Sequence, residues 1–162
     1  MDPLVIGIRD RWEDRGLAGS PWPFMSLCAI SRLDQILKKA LGAELKRLGL
    51  GRTAYFLLTG LALRTKGRAR LSTLSRLLMM HPTSVRSTVD QLEANGLVRT
   101  HPHPHDRRAT VVEITDAGRD LVDETNQALA SPDGAMAVFG EYHKDLFAAL
   151  QPARHAAGDM EL

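Results

Sequence analysis

The residues with the clearest chemistry lie together at positions 101–108, in the middle of the chain. Three histidines alternate there with two prolines, and Asp106, Arg107 and Arg108 follow at once. Guanidinium groups bind phosphate and are attracted into narrow minor grooves, where negative potential is concentrated. We expect Asp106 to orient a neighbouring arginine, because a carboxylate is repelled by phosphate. The segment therefore predicts a contact with a nucleic acid.

The three histidines, His101, His103 and His105, allow two interpretations. On an extended strand alternate residues share one side, which is an arrangement that could hold a metal ion. No cysteine or carboxylate stands at the usual ligand spacing, however, and the prolines hinder regular strand geometry. We therefore expect no metal site. The other interpretation is a loop whose affinity for phosphate rises as the histidines become protonated, below about pH 6.5.

A second group of candidate residues lies on a predicted helix over residues 82–95. Val85, Val89 and Leu92 fall on one face, which is expected to be buried. The opposite face begins with small hydroxyl side chains and Arg86, which could bind guanine through its planar fork. A helix that enters the major groove reads bases with its N-terminal end. The predicted contacts here and on the preceding short helix are Ser72, Arg76, Pro82, Thr83, Ser84, Arg86 and Ser87.

Enzyme chemistry is not indicated. The chain has no glycine-rich phosphate loop, no serine or cysteine in a nucleophile elbow and no helical His-Glu-x-x-His pattern. We therefore expect a protein that is not an enzyme and that uses no cofactor. The single cysteine, Cys28, is either a redox sensor or a small core residue, since a reactive thiol needs exposure and a lowered pKa.

Composition and charge agree with a nucleic-acid-binding protein. Of the 21 Lys and Arg residues, nine lie between positions 64 and 108, together with only three of the 19 Asp and Glu residues. The positive charge is therefore concentrated in the middle third of the chain. The longest nearly apolar run, Ala54–Leu63, is too short to cross a bilayer, which needs roughly 20 residues. With one cysteine no intrachain disulfide can form, and we expect a cytoplasmic protein.

Hydrophobic spacing predicts the elements that position these residues. Apolar residues at three- and four-residue steps predict a long amphipathic helix over 26–48 and a more buried helix over 52–64. Residues 65–70 are predicted to form a basic turn. Ser72 is expected to be the N-cap of a short helix, and the next helix is expected to run from Pro82 to Asn95-Gly96. Strands at 97–100 and 110–114 are expected to form a hairpin. Thr115 is expected to cap a helix with an apolar stripe over 121–129, which is followed by a break at 131–134 and a last helix to about 150.

The segment from His81 to Gly118 closely resembles the multiple-antibiotic-resistance-regulator (MarR) family of transcription factors. The matching motifs are Pro-Thr-Ser-Val at the start of the helix, Val-Asp-x-Leu-Glu-x-x-Gly-Leu-Val at its end, Pro-x-Pro-x-Asp-Arg-Arg in the hairpin and Ile-Thr-x-x-Gly before the next helix. Together they form a specific pattern, and the similarity extends over roughly residues 27–130. The helical tail, however, is interrupted at Pro132.

The resemblance implies a mainly α fold with a small β-hairpin, which is a winged helix-turn-helix flanked by dimerisation helices. We expect an N-terminal arm at 1–25, dimerisation helices at 26–51 and 116–155, a DNA-binding lobe at 52–115 and a frayed tail at 156–162. Arg107 or Arg108 is expected to reach the minor groove. The expected partners are a pseudo-palindromic operator in double-stranded DNA and a second copy of the chain.

The resemblance also implies a repressor that a small, often aromatic, ligand releases from DNA. Candidate ligand or redox residues by sequence position are Trp12, Trp22, Cys28, Arg32 and Tyr55. Two alternatives remain open. One is a redox-sensing regulator that uses Cys28, and the other is a winged-helix module that binds proteins instead of DNA.

Overall fold

A computed structural model describes residues 5–104 and 106–159 and shows a mainly helical chain with one small sheet. The helices are α1 (Asp10–Asp14), α2 (Trp22–Arg47), α3 (Arg52–Ala62), α4 (Leu71–Leu77), α5 (Pro82–Ala94), α6 (Asp116–Ala130) and α7 (His143–Ala156). A π-helical turn, Val5–Arg9, precedes α1, and a 3₁₀ segment, Ala137–Tyr142, precedes α7. The strands are β1 (Arg68–Arg70), β2 (Val98–His103) and β3 (Asp106–Ile114).

The chain divides into two compact units, Met1–Ala40 and Leu41–Leu162. In the first unit the Trp12 indole N–H donates to the carbonyl of Gly19 at 2.9 Å, and its ring lies 6.0 Å from that of Phe24. The end of the arm predicted over 1–25 is therefore corrected. Two short helical segments form there, and α2 begins at Trp22 rather than at residue 26.

The second unit is built around one hydrophobic core. Its fully buried members come from α2, from three helices of the winged lobe and from the sheet, and they are Leu45, Leu57, Leu58, Leu61, Leu74, Val85, Val89, Val98 and Val112. The face predicted for α5 is confirmed, since Val85, Val89 and Leu92 are 0%, 0% and 3% exposed. Burial of this face fixes which side of α5 points outward.

The predicted hairpin is confirmed, and a third strand joins it. The sheet order is β1-β3-β2, with both pairings antiparallel. Residues 68–70, predicted as part of a turn, are instead an edge strand that pairs with β3. Strand β2 also continues through Pro102 to His103, and the register shifts between these two residues. The prolines therefore accompany an irregular strand end rather than a loop.

The ends of the helices agree only partly with the sequence. Thr115 caps α6, because its hydroxyl accepts a hydrogen bond from the backbone N–H of Gly118 at 3.1 Å. Asn95 ends α5, followed by Gly96 at φ +70°. The N-cap predicted at Ser72 is wrong, because β1 continues directly into α4, whose N-cap is Arg70 with no side-chain cap bond. No helix among the described residues is long and apolar enough to span a membrane.

Candidate nucleic-acid interface

The first part of the site is the exposed N-terminal half of α5. His81 caps this helix, since its Nδ1 accepts a hydrogen bond from the N–H of Thr83 at 3.3 Å, and Pro82 occupies the first turn. The side chains predicted to contact DNA on this helix are all exposed, namely Pro82, Thr83, Ser84, Arg86 and Ser87. Backbone N–H groups without an intrahelical partner at such an end favour a phosphate. This end of α5 therefore suits contact with both phosphates and bases.

Arg86 is held by one residue of its own helix and by one residue of the sheet. Its Nε donates to the carboxylate of Asp90 at 2.9 Å, one helical turn away, and its Nη1 donates to the hydroxyl of Thr110 on β3 at 3.4 Å. The guanidinium thus bridges the helix and the sheet. A bidentate contact with guanine needs two N–H groups of the fork. Asp90 and Thr110 therefore orient Arg86 and compete with a base for it.

A second contact fixes the angle between α5 and the hairpin. The Glu93 carboxylate accepts hydrogen bonds from the Thr100 backbone N–H at 2.6 Å and from the Thr100 hydroxyl at 2.9 Å. At the other end of the hairpin, the Thr115 hydroxyl donates to the carbonyl of Gly96 at 2.8 Å. A charged acceptor makes stronger hydrogen bonds than a neutral one. These contacts hold the helix against the hairpin, and Glu93 was not singled out by sequence reasoning.

The sheet has a core face and an outer face, as the period of two requires. Ala69, Val98 and Val112 belong to the core face and are buried. Residues that stand directly opposite each other across two strands share one face. Two rows of residues cross this face of the sheet from β1 through β3 to β2. One row is Arg68, Glu113 and Arg99, and the other is Arg70, Val111 and His101. Among these paired residues, the outer face therefore carries three arginines and one carboxylate.

This outer face contains a shallow cavity of about 250 Å³, which is lined by two arginines, two histidines and three apolar residues. Its lining is Arg68, Ala69, Arg70, His101, His103, Pro104 and Val111. Arg70 Nη2 lies 3.0 Å from His103 Nε2, and His101 lies 4.0 Å from Glu113. Neither Arg68, Arg70 nor Arg99 forms an ion pair with any residue that the structure describes. Unneutralised guanidinium groups around a concave surface suit an anion of the size of phosphate.

The sequence did not point to Arg68, Arg70 or Arg99. All three lie in the basic middle third of the chain, which was the only available signal. Their common face depends on β1, which has three residues and pairs with a strand more than forty residues further along the chain. Local sequence patterns contain no information about such a pairing.

The other predicted contacts are placed as follows. Ser72 and Arg76 are exposed on α4. Asp106, Arg107 and Arg108 belong to the first part of β3, and the Asp106 side chain is exposed. His105 lies outside the described residues. Among the residues that the structure describes, no group of three ligand side chains could hold a metal ion.

The five residues predicted as ligand or redox candidates lie in different surroundings. Trp12 makes the contacts within the arm given above, and Trp22 is 59% exposed at the start of α2. Arg32 lines an open groove on α2, and Cys28 is half-buried on the same helix. The Tyr55 hydroxyl donates to the Asn126 side-chain oxygen at 2.7 Å. Burial raises the pKa of Tyr55, and the neighbouring Thr59 hydroxyl acts in the opposite direction.

Comparison with known proteins identifies the family. The MarR family model matches residues 52–110. A solved MarR family transcriptional regulator of Streptomyces coelicolor, Sco5413, is 35% identical, covers 89% of this chain and 100% of its own, and superposes with a TM-score of 0.76. This chain belongs to the MarR family of transcriptional regulators. The winged helix-turn-helix predicted from the sequence is thereby confirmed.

Two further relatives of this MarR family chain are informative. Sco3205 of Streptomyces coelicolor, solved in complex with DNA, is 22% identical, covers 85% of this chain and 87% of its own, and has a TM-score of 0.66. The transcriptional repressor NicR of Pseudomonas putida is 36% identical over 62 residues. These 62 residues are 38% of this chain and 39% of NicR, so the match spans well under half of that relative.

Proposed function

We propose that this chain is a homodimeric, sequence-specific DNA-binding repressor whose affinity for DNA is lowered by a small-molecule ligand. The proposal rests on one observation. Arg86 joins the exposed end of α5 to Thr110 on β3, so that this helix end adjoins the sheet that carries the basic outer face. A regulator of this family acts on DNA, which we expect it to meet in the cytoplasm of a bacterial cell. We infer no catalytic role, because the fold and the family are those of regulators.

The exposed end of α5 is proposed to lie in the major groove. Ser and Thr hydroxyls there bind phosphates or bases, and Arg86 reads a guanine. The tip of the hairpin, with Arg107 and Arg108, is proposed to reach the adjacent minor groove. Two such lobes in a symmetric dimer would read half-sites about one helical turn, roughly 34 Å, apart. Sco3205, which has a similar fold, was solved in complex with DNA, and this supports DNA as the partner.

The outer face of the sheet is proposed to bind phosphates that flank the minor groove. Arg68 and Arg70 stand on the same sheet as the hairpin tip, and they line the basic cavity described above. Each phosphate that a basic side chain neutralises releases condensed counterions, and this makes binding depend on salt. Arg68 and Arg70 therefore contribute affinity without sequence preference.

The first test separates base reading from phosphate binding. Duplexes selected from a random pool by the wild-type protein supply the binding site, and fluorescence anisotropy over a range of salt concentrations supplies affinity and salt slope. Substituting Arg68→Ala and Arg70→Ala together should lower the slope of log K against log salt by about 1.8 and weaken all sequences alike, since each phosphate contributes about 0.9. Arg86→Ala should instead relax the preference at one base pair, by about 1–3 kcal/mol.

The control for Arg86→Ala is Arg154→Ala, which likewise removes one positive charge, in this case from α7. We expect it to change neither slope nor base preference. An Arg107→Ala and Arg108→Ala double variant that binds the selected duplex as tightly as the wild type would refute the proposed DNA-binding mode.

A further inference from the structure

The turn between α4 and α5 contains a methionine in a conformation that usually requires glycine. Met79 has φ +50°, and every other described residue with a positive φ is a glycine. The Met79 N–H donates to the carbonyl of Arg76, and the Met80 N–H donates to that of Ser75, both at 3.0 Å. This pair of hydrogen bonds is typical of helix ends that contain glycine. A side chain here strains the backbone, and strain of this kind is concentrated at functional sites.

The Met79 side chain lies almost completely in solvent. It is 82% exposed. Among the other methionines that the structure describes, Met25 is buried, and Met80 and Met136 are half-buried. Two-electron oxidants convert a thioether to a polar sulfoxide, and an exposed thioether is the most accessible to them. Met79 is therefore the described methionine that exposure favours for oxidation.

A donor for the oxidised side chain lies on the same surface. Met79 and Arg64 both line a concave surface between the C-terminal half of α3 and the end of α4. Arg64 Nε is buried there, and no group in the described part of the chain accepts its hydrogen bond. A thioether is a weak acceptor, whereas the oxygen of a sulfoxide is a strong one. Oxidation of Met79 therefore creates an acceptor on the surface that holds an unpaired charged donor.

The other neighbours of Met79 oppose a polar group. Phe56, Leu63 and Leu77 line the same concave surface, and all three side chains are apolar. An unpaired sulfoxide oxygen beside them loses hydrogen bonds with water and gains none. The contrast between these residues and Arg64 directs the oxygen towards the guanidinium. The side chain is therefore drawn towards α3 once it is oxidised.

A movement of Met79 is transmitted to the helix that is proposed to read DNA. Met80 and His81 alone separate Met79 from Pro82, where α5 begins. His81 caps that helix. Met80 is tied to α3, since its Sδ accepts a hydrogen bond from the Thr53 hydroxyl at 3.7 Å. The short turn leaves little slack, so a change of backbone angle at Met79 displaces the cap and the first turn of α5.

We propose that Met79 is a redox-modification site. Hypochlorous acid oxidises its thioether to the sulfoxide, Arg64 binds the new oxygen, and the displaced turn weakens DNA binding. The last of these steps rests on the proposed DNA-binding function. Sequence reasoning indicated Cys28 as the redox candidate and did not indicate Met79.

The chemistry is a two-electron oxidation of sulfur. The Met79 sulfur donates an electron pair to the chlorine of hypochlorous acid, and hydroxide leaves. Water then adds to the sulfur, chloride leaves, and two protons are lost, one of which neutralises the hydroxide. The net products are the sulfoxide, chloride and one proton. A methionine sulfoxide reductase reverses the change at the expense of a thiol.

The first test locates the modification. The full chain and its Cys28→Ser variant, which lacks the competing thiol, are treated with equimolar hypochlorous acid, and peptide mass spectrometry follows the added oxygen over time. We expect Met79 to be oxidised severalfold faster than Met80 and Met136, and faster still than Met25. Oxidation of Met79 at the same rate as Met136, or more slowly, would overturn the site.

The second test measures the consequence for DNA binding in the Cys28→Ser background. Oxidation should lower the affinity for the selected duplex severalfold, and methionine sulfoxide reductase with dithiothreitol should restore it. Met79→Leu, which has a similar size and no sulfur, should bind like the untreated protein and should not respond to the oxidant. Met136→Leu is the matched control and should respond as its parent does. An undiminished response in Met79→Leu would overturn the switch.

A third variant tests the proposed acceptor contact. Arg64→Leu should still form the sulfoxide at Met79, but its DNA affinity should fall much less on oxidation. Arg52→Leu, which removes a charge from the exposed start of the same helix, should behave like its parent. An unchanged fall in Arg64→Leu would refute the role of the guanidinium. Thermal unfolding identifies a variant that fails to fold, and the exposed Met79→Leu then decides.

The two halves of the proposal fail separately. If the chain binds no DNA, the proposed function fails, while mass spectrometry still decides whether Met79 is the preferred site of oxidation. Complete oxidation of Met79 with unchanged DNA affinity would leave the function intact and overturn the switch.

Discussion

Tyr55 shows how one residue can combine structural and electrostatic roles. Its hydroxyl donates to Asn126, which is 71 residues away in the sequence. Burial is the main cause of its raised pKa, because the phenolate loses solvation in the protein. Tyr55 was a ligand candidate by its sequence position only. The hydrogen bond to Asn126 explains its presence without any ligand.

This residue predicts the behaviour of the protein in alkaline solution. The pKa of Tyr55 in the folded state is raised above its ordinary value of 10.0. Its contribution to the free energy of unfolding is therefore complete below about pH 10 and is lost as the pH rises through the folded-state pKa. Tyr55→Phe should cost about 1 kcal/mol at neutral pH through the lost hydrogen bond. It should also make the free energy of unfolding less dependent on pH above about pH 10.

Urea unfolding at neutral and alkaline pH measures both effects, and Tyr142→Phe, at a tyrosine that is 65% exposed, is the control. An identical alkaline decline in the wild type and in Tyr55→Phe would show that another group causes it.

At the scale of elements, helix α6 packs very closely against the start of the hairpin. A Cβ atom at Gly118 would lie 2.3 Å from the carbonyl oxygen of Leu97 and 2.8 Å from Ile114 Cγ1. Only glycine therefore permits this approach of the helix to the backbone of the hairpin. The Ile-Thr-x-x-Gly motif consequently has a packing explanation, in which Thr115 caps the helix and Gly118 lets it approach.

Gly118→Ala should therefore destabilise the protein by about 1–3 kcal/mol or more, because a backbone carbonyl cannot give way as a flexible side chain can. The matched variant is Gly42→Ala in α2, where an added Cβ has no neighbour within 4 Å. It should stabilise the helix by about 0.5–1 kcal/mol. Urea unfolding of both variants measures the contrast, and the same sign for the two substitutions would contradict the packing explanation.

Elements with strong local signals were predicted from the sequence, and those that depend on distant partners were not. The course of α5, the cap at Thr115 and the hairpin follow from periodicity, capping residues and turn residues. Strand β1 could not be predicted, because Arg68-Ala69-Arg70 has no strand-forming pattern and becomes a strand only through β3. The error at Ser72 has the same origin, since β1 determines where α4 begins.

At the scale of the molecule, the long helices leave apolar side chains uncovered within a single chain. Leu27 and Ile30 on α2 are 62% and 54% exposed, and Phe147 on α7 is 61% exposed. No described residue of α7 is buried. A stripe of this kind favours burial against another protein surface. The domain boundaries predicted from the sequence, with dimerisation helices at both ends of the chain, remain a proposal that this exposure supports.

Leu27→Glu or Phe147→Glu should therefore shift the protein from dimer to monomer, because a buried unpaired carboxylate opposes association. Sedimentation over a range of concentrations measures the change, and a palindromic duplex should be bound more weakly. Gln91→Glu introduces the same charge on α5, where it should leave the oligomeric state unchanged. A dimer of unaltered strength in both apolar variants would place the interface elsewhere.

The two faces of the small sheet also have a consequence for how this protein can change over evolutionary time. Its basic outer face is determined by alternation, since Arg68 and Arg70 flank the buried Ala69, and Arg99 follows the buried Val98. A point substitution at an outward position alters the attraction for phosphate and leaves the core intact. An inserted or deleted residue in either strand would exchange the two faces and place arginines in the core. Affinity for the DNA backbone is therefore open to gradual adjustment by substitution, while the lengths of these strands are constrained.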